Sequence, residues 1–310
     1  MSLSACPACR HNNAALITAR SNYSFLRCGA CDLLFTDPMP SVNGDWYREN
    51  MMYQVRDQIG CNRLQWNHKQ FLRNHPSPGG HLLDIGCGTG EFLQAAQEAD
   101  YQVTGFDFDS NAVRAAQERF GLNNVFTGDL AELAQKPGIQ LFDVVTAFEV
   151  LEHSPTPGRF VQDLSRLVAP DRFLAISVPN RDRWPQFRYD WDQPPNHLTF
   201  WNQTSLTRLL AQNGFQILQT AMGWKQGEPF LHQHLQFGIV TQLLKNQRRQ
   251  ARAPVAGSLT EGAPLAGMAY RLKSMMISTL AIPVNLGLRS IGETGMTLYV
   301  LAQKTGGETR

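Results

Sequence analysis

The chain has 310 residues, of which 43% are hydrophobic, and its formal net charge at pH 7 is only +2. This length suffices for one large domain with attachments, and the near-neutral charge disfavours nucleic acid or an anionic membrane as a general partner. No apolar stretch opens the chain and no window reaches the roughly 18 to 20 apolar residues of a spanning helix, so we expect a cytoplasmic location. Residues 275–288 leave peripheral membrane contact open.

Four of the six cysteines form two CxxC pairs near the N-terminus, Cys6 with Cys9 and Cys28 with Cys31. Each pair can place two sulfurs on one tight turn, and two such turns close a tetrahedral site for Zn²⁺. We therefore predict a zinc ribbon over residues 1–36 in which the metal is structural. Two disulfides or four unliganded thiols are the alternatives.

The rest of the chain alternates between strand and helix patterns. A loose helical pattern makes residues 37–80 a helical linker. Predicted strands then cover residues 81–86, 101–108, 124–129, 141–150, 172–179, 216–223 and 297–304. Predicted helices cover residues 91–99, 110–120, 130–135, 158–168 and 205–215. This order predicts an α/β fold with a doubly wound, mostly parallel seven-stranded sheet over residues 81–310, interrupted by a lid (residues 181–203) and an insertion (residues 224–293).

A glycine-rich loop, LLDIGCGTGEF, follows the first of these strands. Free amides at a helix N-terminus and closely approaching glycines suit a nucleotide, but Glu91 occupies the last position of a dinucleotide fingerprint and would repel a pyrophosphate. Asp84, Asp107 and Asp129 lie at the ends of three successive strands. Parallel sheets bind ligands at this edge, so we expect a phosphate-free nucleoside there, with Asp107 accepting from its ribose.

The motifs DIGCGTG, FDFD, GDL and FEVLEH resemble those of the class I S-adenosylmethionine (SAM)-dependent methyltransferases. The resemblance implies that Asp84 and the loop hold the methionine part of SAM, that Asp107 holds the ribose and that Asp129 with Leu130 borders the adenine. Phe148 and Glu149 would close the pocket near the sulfonium. The cofactor-binding residues expected in this way are Asp84, Gly86, Cys87, Gly88, Gly90, Asp107, Phe108, Asp129, Leu130, Phe148 and Glu149. The two CxxC pairs resemble the zinc-ribbon subset of this superfamily, which includes sugar C-methyltransferases.

Catalytic candidates follow the fourth and fifth strands of the alternating region. His153 and Glu149 belong to FEVLEH, and His197 lies in the lid. A hydroxyl or carbon acceptor needs a base, which either histidine can supply, although His153 could instead cap a helix and His197 could pack structurally. Glu149, Glu152 and His153 would share one face of a helix and could bind a second divalent ion, as in the ubiquinone-pathway O-methyltransferases and small-RNA 2′-O-methyltransferases that this stretch resembles.

The lid is rich in aromatic residues between positions 184 and 201. They could stack on a ring-containing acceptor or bury the lid. The leading hypothesis is a methyltransferase for a small molecule, such as a sugar-nucleotide, glycolipid or quinone precursor. The alternatives are an RNA methyltransferase, suggested by the CxxC pairs and the basic cluster 245–252, and a non-catalytic cofactor-binding adaptor. The sequence leaves the oligomeric state open.

Overall fold

The computed structural model describes residues 5–40, 64–183, 192–223 and 295–306. The chain divides into two compact units, residues 1–223 with 295–310 and residues 224–294. All described residues belong to the first unit, so the predicted insertion and the basic cluster lie outside them. Within the described ranges, no helix combines the length and the apolar character needed to cross a membrane.

From residue 81 onwards the described strands and helices follow the predicted order, with one short strand, Thr199–Phe200, added in the predicted lid. The strands are β1 (Ala14–Arg20), β2 (Tyr23–Cys28), β3 (Leu34–Asp37), β4 (His81–Ile85), β5 (Gln102–Asp107), β6 (Val125–Thr127), β7 (Phe142–Phe148), β8 (Val168–Pro179), β9 (Thr199–Phe200), β10 (Phe215–Gly223) and β11 (Thr297–Lys304). The helices are α1 (Trp66–Asn74), α2 (Glu91–Glu98), α3 (Ser110–Phe120), α4 (Leu130–Gln135), α5 (Pro157–Leu167) and α6 (Gln203–Gln212). A 3₁₀ turn covers Leu151–His153.

The large sheet has seven strands in the order β10-β11-β8-β7-β4-β5-β6. Five of them, β4 to β8, run parallel, whereas β11 pairs antiparallel with both β8 and β10. The central strands are almost entirely buried, as expected for a sheet covered on both faces. The predicted mostly parallel seven-stranded α/β fold is confirmed.

Short polar side chains begin several helices directly after the strands. Asp109 accepts a hydrogen bond from the Asn111 amide at the start of α3, and Asp129 accepts one from the Ala131 amide at the start of α4. Such caps satisfy amides that have no partner within the helix. They hold the N-terminal ends of these helices at the edge of the sheet where the parallel strands end.

The described part of the predicted linker contains helix α1, which packs on the large sheet. Asn67 donates to Ser177 Oγ at 2.7 Å, and Asn74 donates to Tyr299 Oη at 3.2 Å. Phe71 is fully buried against Phe92 and Phe148. This segment is therefore part of the core, while residues 41–63 lie outside the described residues.

The N-terminal residues form a second, antiparallel sheet in the order β1-β2-β3-β9. The CPAC turn precedes β1, and the CGAC turn joins β2 to β3. Strand β9 comes from the predicted lid and pairs with β3 through Leu34 and Phe35. A boundary at residue 36 consequently does not separate two independently packed bodies.

Candidate active site

The glycine loop lies between β4 and α2, at the carboxyl end of the parallel strands. Gly86 donates to Phe106 O at 2.8 Å, and Gly88 donates to Asp107 Oδ2 at 2.8 Å. The loop is thus fastened to the neighbouring strand β5 by both its first and its second glycine. Gly90 is the N-cap residue of α2.

Gly86 and Gly88 both have a positive φ but differ in the space around them. Gly86 has a φ of 77°, and a Cβ there would lie 2.4 Å from Val150 Cγ2. Gly88 has a φ of 53°, but a Cβ there would meet no heavy atom within 4 Å. The second position is therefore open towards the cleft, where a ligand can approach the backbone closely.

Asp84 is buried beneath this loop with 3% of its surface exposed. Burial raises the pKa of its carboxyl to about 7; the hydrogen bond from Thr146 opposes this rise, and the charge of Asp107 adds to it. The Thr146 hydroxyl donates to Asp84 Oδ1 at 2.6 Å. A buried carboxyl with a raised pKa is a favourable neighbour for a cationic ligand, because a positive charge nearby stabilises its ionised form.

The other residues expected around the cofactor lie at the same edge. Asp107 accepts from the Gly88 and Asp109 amides, which orients its carboxylate at the end of β5. Phe108 is 51% exposed, whereas the Cys87 thiol is buried beside Gly105, and burial together with nearby acids raises the pKa of that thiol. Asp129 is exposed and uses one oxygen to cap α4.

Phe148 belongs to an aromatic cluster between α1 and the sheet. Its ring centroid lies 5.0 Å from that of Phe92 and 5.5 Å from that of His68. His68 also lies 5.1 Å from Phe92 and was not singled out by the sequence analysis, because nothing in a helical pattern marks it. Phe148 is thus packed into this cluster, and its expected place near the sulfonium stays a prediction.

Two histidines and an acid meet next to the glycine loop. Glu152 and His153 lie in the 3₁₀ turn after β7, and His197 precedes β9. The rings of His153 and His197 lie 4.9 Å apart in an edge-on arrangement. Ligand atoms of these three residues all lie within 4.8 Å of one another. Val150, which directly precedes the 3₁₀ turn, lies against Gly86, so this turn begins beside the glycine loop.

The ring orientations of both histidines are set by oxygen acceptors at Nδ1. His153 Nδ1 lies 2.6 Å from the Asn196 carbonyl, and His197 Nδ1 lies 3.4 Å from Asp192 Oδ1. A carbonyl or carboxylate requires a proton on Nδ1, which leaves Nε2 of each neutral ring with the lone pair. Metal-binding and proton-accepting histidines share this arrangement.

Asp192 is itself held by an ion pair. Arg183 donates from Nη2 to Asp192 Oδ2, and both side chains are buried. Burial by itself raises the pKa of Asp192, but the hydrogen bond from His197 and the charge of Arg183 together hold that pKa at about 2. Asp192 is therefore ionised at every ordinary pH. Sequence analysis missed this pair because neither residue belongs to a periodic pattern.

The residues that could bind a second divalent ion differ from the predicted set by one residue, since His197 takes the place of Glu149. Glu149, Glu152 and His153 were expected on one helical face, but Glu149 has a φ of 58° and a 3₁₀ turn replaces the α-helix. The group of ligand atoms that the structure brings together at this turn consists of Glu152, His153 and His197 and does not include Glu149. The i, i+3, i+4 argument was wrong because it assumed a regular α-helix.

The four N-terminal cysteines converge on one point. Cys6 Sγ lies 3.6 Å from Cys31 Sγ, and Cys9 Sγ lies 3.5 Å from Cys28 Sγ. Four thiolates at about 2.3 Å from a tetrahedral Zn²⁺ would be about 3.8 Å apart, so the donor set fits this ion closely. The hydrogen bond from Cys31 lowers the pKa of Cys6 to about 5, while burial raises that of Cys9 to about 11. The thiols cannot all ionise together without a cation.

Two aromatic residues of the predicted lid are part of the packing. Phe200 packs on Phe25 of the ribbon, with 5.7 Å between the ring centroids. Trp201 is fully buried and donates from Nε1 to Thr199 Oγ1 at 2.9 Å. These residues bury the lid instead of facing an acceptor, whereas the aromatic residues between 184 and 191 lie outside the described residues.

Comparison with known proteins shows the family to which the chain belongs. A methyltransferase domain family matches residues 50–220, more than half of the chain. Over 143 residues the chain is 35% identical to a ubiquinone biosynthesis O-methyltransferase of Albidiferax ferrireducens, covering 44% of this chain and 54% of that protein. It is 30% identical over 191 residues to a protein of the same name from Coxiella burnetii, covering 55% of this chain and 80% of that protein. The match thus spans about half the length of the first relative.

Solved structures share the fold as well. A SAM-dependent methyltransferase from Archaeoglobus fulgidus superposes with a TM-score of 0.52 at 17% sequence identity. The superposition covers 83% of this chain and 100% of that one. At this identity the similarity concerns the arrangement of strands and helices.

Proposed function

Because the chain belongs to the methyltransferase domain family of class I SAM-dependent enzymes, we propose that it methylates a hydroxyl group of a small, ring-containing acceptor. The observation that carries the proposal is the pairing of His197 with Asp192, a buried carboxylate whose pKa is lowered to about 2 by His197 and Arg183. A histidine held in this way can accept a proton, and a hydroxyl acceptor must lose one. The names of the two relatives, both O-methyltransferases, agree with this chemistry.

Two features at the glycine loop support SAM as the cofactor. The open space at Gly88 admits a ligand against the loop, and the buried carboxyl of Asp84 favours a cation. We assign the methionine part to the loop and Asp84, the ribose to Asp107 and the adenine to the Phe108 and Leu130 side of the cleft. When bound, SAM supplies an electrophilic methyl group on a sulfonium.

His197 is the proposed base. Its Nδ1 faces Asp192, so Nε2 can take the acceptor proton while Asp192 stabilises the imidazolium that forms. Base catalysis of this kind contributes about 10²- to 10⁴-fold, and alignment of the acceptor in a cleft that excludes water contributes further. His153 lies against His197 and keeps its own ring fixed through Asn196.

A divalent ion is a further proposed component of this site. Glu152, His153 and His197 offer one carboxylate and two imidazoles, and the Nδ1 contacts of both rings are those of metal ligands. Such an ion would lower the pKa of an acceptor hydroxyl. In that case His197 Nε2 is a ligand and not the base, which makes the two roles of His197 experimentally separable.

Isothermal titration with SAM tests the first part of the proposal. Absence of binding at high micromolar cofactor would contradict it. Transfer of labelled methyl from SAM to protocatechuate, a catechol acid, tests the hydroxyl acceptor, and labelling of a cell extract would reveal a sugar or glycolipid acceptor instead. Activity lost on chelation and restored by Mg²⁺ would assign His197 as a ligand, whereas activity unaffected by chelation would assign it as the base.

A further inference from the structure

The segment that carries His197 is hydrogen-bonded to the zinc ribbon on one side and to the 3₁₀ turn on the other. The Leu198 amide donates to Glu152 O at 2.9 Å. The Leu198 carbonyl accepts from the Thr36 amide at 3.0 Å and from the Thr36 hydroxyl at 3.3 Å. Thr36 belongs to β3, so a continuous line of hydrogen bonds runs from the ribbon through the residue next to His197 to Glu152.

The second cysteine turn makes a polar bridge to the same region. Asp32 directly follows Cys31, and its Oδ2 accepts from Arg181 Nη2 at 2.8 Å and from Asn202 Nδ2 at 2.7 Å. Arg181 also donates from Nη1 to the Asp32 carbonyl, and its side chain is only 8% exposed. A two-pronged guanidinium contact of this kind fixes direction as well as distance. It joins the ribbon to the residues that flank the His197 segment on both sides.

The first cysteine turn packs on the element that follows His153. Gly158 lies in the first turn of α5, and a Cβ there would come within 2.9 Å of the Ala8 carbonyl. The first cysteine turn thus contacts the helix that follows the His153 turn, and Asp32, next to the second cysteine turn, contacts residues on either side of the His197 segment. Four sulfurs bound to one metal would hold these turns at a constant separation.

We propose that the zinc ribbon is a positioning element of the active site: through Thr36 and the Asp32–Arg181 bridge it sets His197 against Glu152 and His153. This inference rests on the proposed role of His197 in methyl transfer. A ribbon that only stabilises the fold would affect cofactor binding and the histidines alike. A positioning ribbon affects the histidines and leaves the glycine loop, which it does not contact through these groups, unchanged.

Three variants of the full-length, zinc-loaded protein separate these roles. Arg181→Gln removes the bridge. Arg181→Lys keeps the positive charge but cannot donate from two nitrogens to Asp32 at the same time. Arg27→Gln is the matched control, because Arg27 also pairs with Asp32 Oδ1, at 2.5 Å, but is 54% exposed and stays within the ribbon. If Arg181→Gln does not fold, Asp32→Asn removes the charge that Arg181 binds, and Arg27→Gln then reports the part of its effect that comes from the Arg27 contact; asparagine tolerates the φ of 67° at this position.

Hydrogen exchange of the amides at residues 198–200 is the first measurement, and the protonated nitrogen of His197 in ¹⁵N-histidine spectra is the second. We expect exchange to become roughly tenfold faster in Arg181→Gln, less so in Arg181→Lys, and unchanged in Arg27→Gln. The His197 signal should shift from the Nδ1-protonated form towards a mixture of forms, while the Kd for SAM changes by less than about twofold.

Wild-type exchange in Arg181→Gln, or equal acceleration in Arg27→Gln, would overturn the inference. A parallel loss of SAM affinity and of protection throughout the sheet would also overturn it, because that is the result of simple destabilisation. Neither readout requires SAM or an acceptor, so failure of the proposed function would show as absent SAM binding with the exchange pattern intact.

Discussion

Replacing Asp84 by asparagine should stabilise the protein at pH 8 and weaken its affinity for SAM. Burial raises the pKa of Asp84 from 3.8 to about 7, with Thr146 opposing and Asp107 adding to the rise. Each pKa unit corresponds to about 1.36 kcal/mol, so the ionised carboxylate lowers the free energy of unfolding by about 4 kcal/mol above pH 7. Asparagine can still accept the Thr146 hydrogen bond and carries no charge.

The effect has a defined pH window. Between about pH 4 and pH 7 the native protein keeps a proton that the unfolded chain releases, so the free energy of unfolding falls as pH rises. In Asp84→Asn this fall is absent, and the gain over the wild type should grow from near zero at about pH 4 to about 4 kcal/mol at pH 8. SAM is cationic at its sulfonium, so the wild-type affinity should rise through this window and the variant should bind at least about tenfold more weakly.

Urea denaturation and SAM titration at pH 5 and pH 8 measure both quantities. Asp143→Asn is the control, because it removes a carboxyl from the same sheet that pairs with Arg172 away from the glycine loop. The control should keep the wild-type pH dependence. An Asp84→Asn stability gain that is equal at both pH values would refute the assignment of this carboxyl, and unchanged SAM affinity would refute its role in the cleft.

Three other substitutions probe the site. His197→Gln should lower the rate of methyl transfer by about 10²- to 10⁴-fold without changing the Kd for SAM. The control His11→Gln, in the ribbon, should change neither the rate nor the Kd. Equal losses of rate in the two variants would contradict a role for His197. Asp192→Asn should lower the rate by roughly tenfold or more, since His197 loses the charge that orients its ring, and wild-type rates would argue against this pairing. Gly86→Ala should lower the melting temperature because its Cβ would lie 2.4 Å from Val150 Cγ2. Adding Val150→Ala to this variant should restore part of the lost melting temperature. If it restores none, the strain lies in the backbone at Gly86.

The sheet and the cofactor loop could be predicted because local signals determine them. Apolar runs define β4, β5, β7 and β8, and the alternation with helices implies parallel pairing. The glycines and acids stand at strand ends, where a sequence position translates directly into a place at the sheet edge.

The histidine cluster could be predicted only in part. His153 and His197 were named individually, but their meeting depends on β3 pairing with β9, a contact between residues far apart in the chain. Glu149 was placed in the cluster because spacing cannot distinguish a 3₁₀ turn from an α-helix. Phe200 and Trp201 could not be assigned to the core from composition, since stacking on a ligand and packing in a core require the same side chains.

The position of β11 determines when this molecule can finish folding during its synthesis. Residues 297–304 insert between β8 and β10, and the Leu298, Tyr299 and Val300 side chains have no exposed surface. Until these residues emerge from the ribosome, β8 and β10 both present open edges that nothing earlier in the chain occupies in the final sheet. The large sheet therefore cannot be completed until β11 has left the ribosome, well after β8 and β10 have been made.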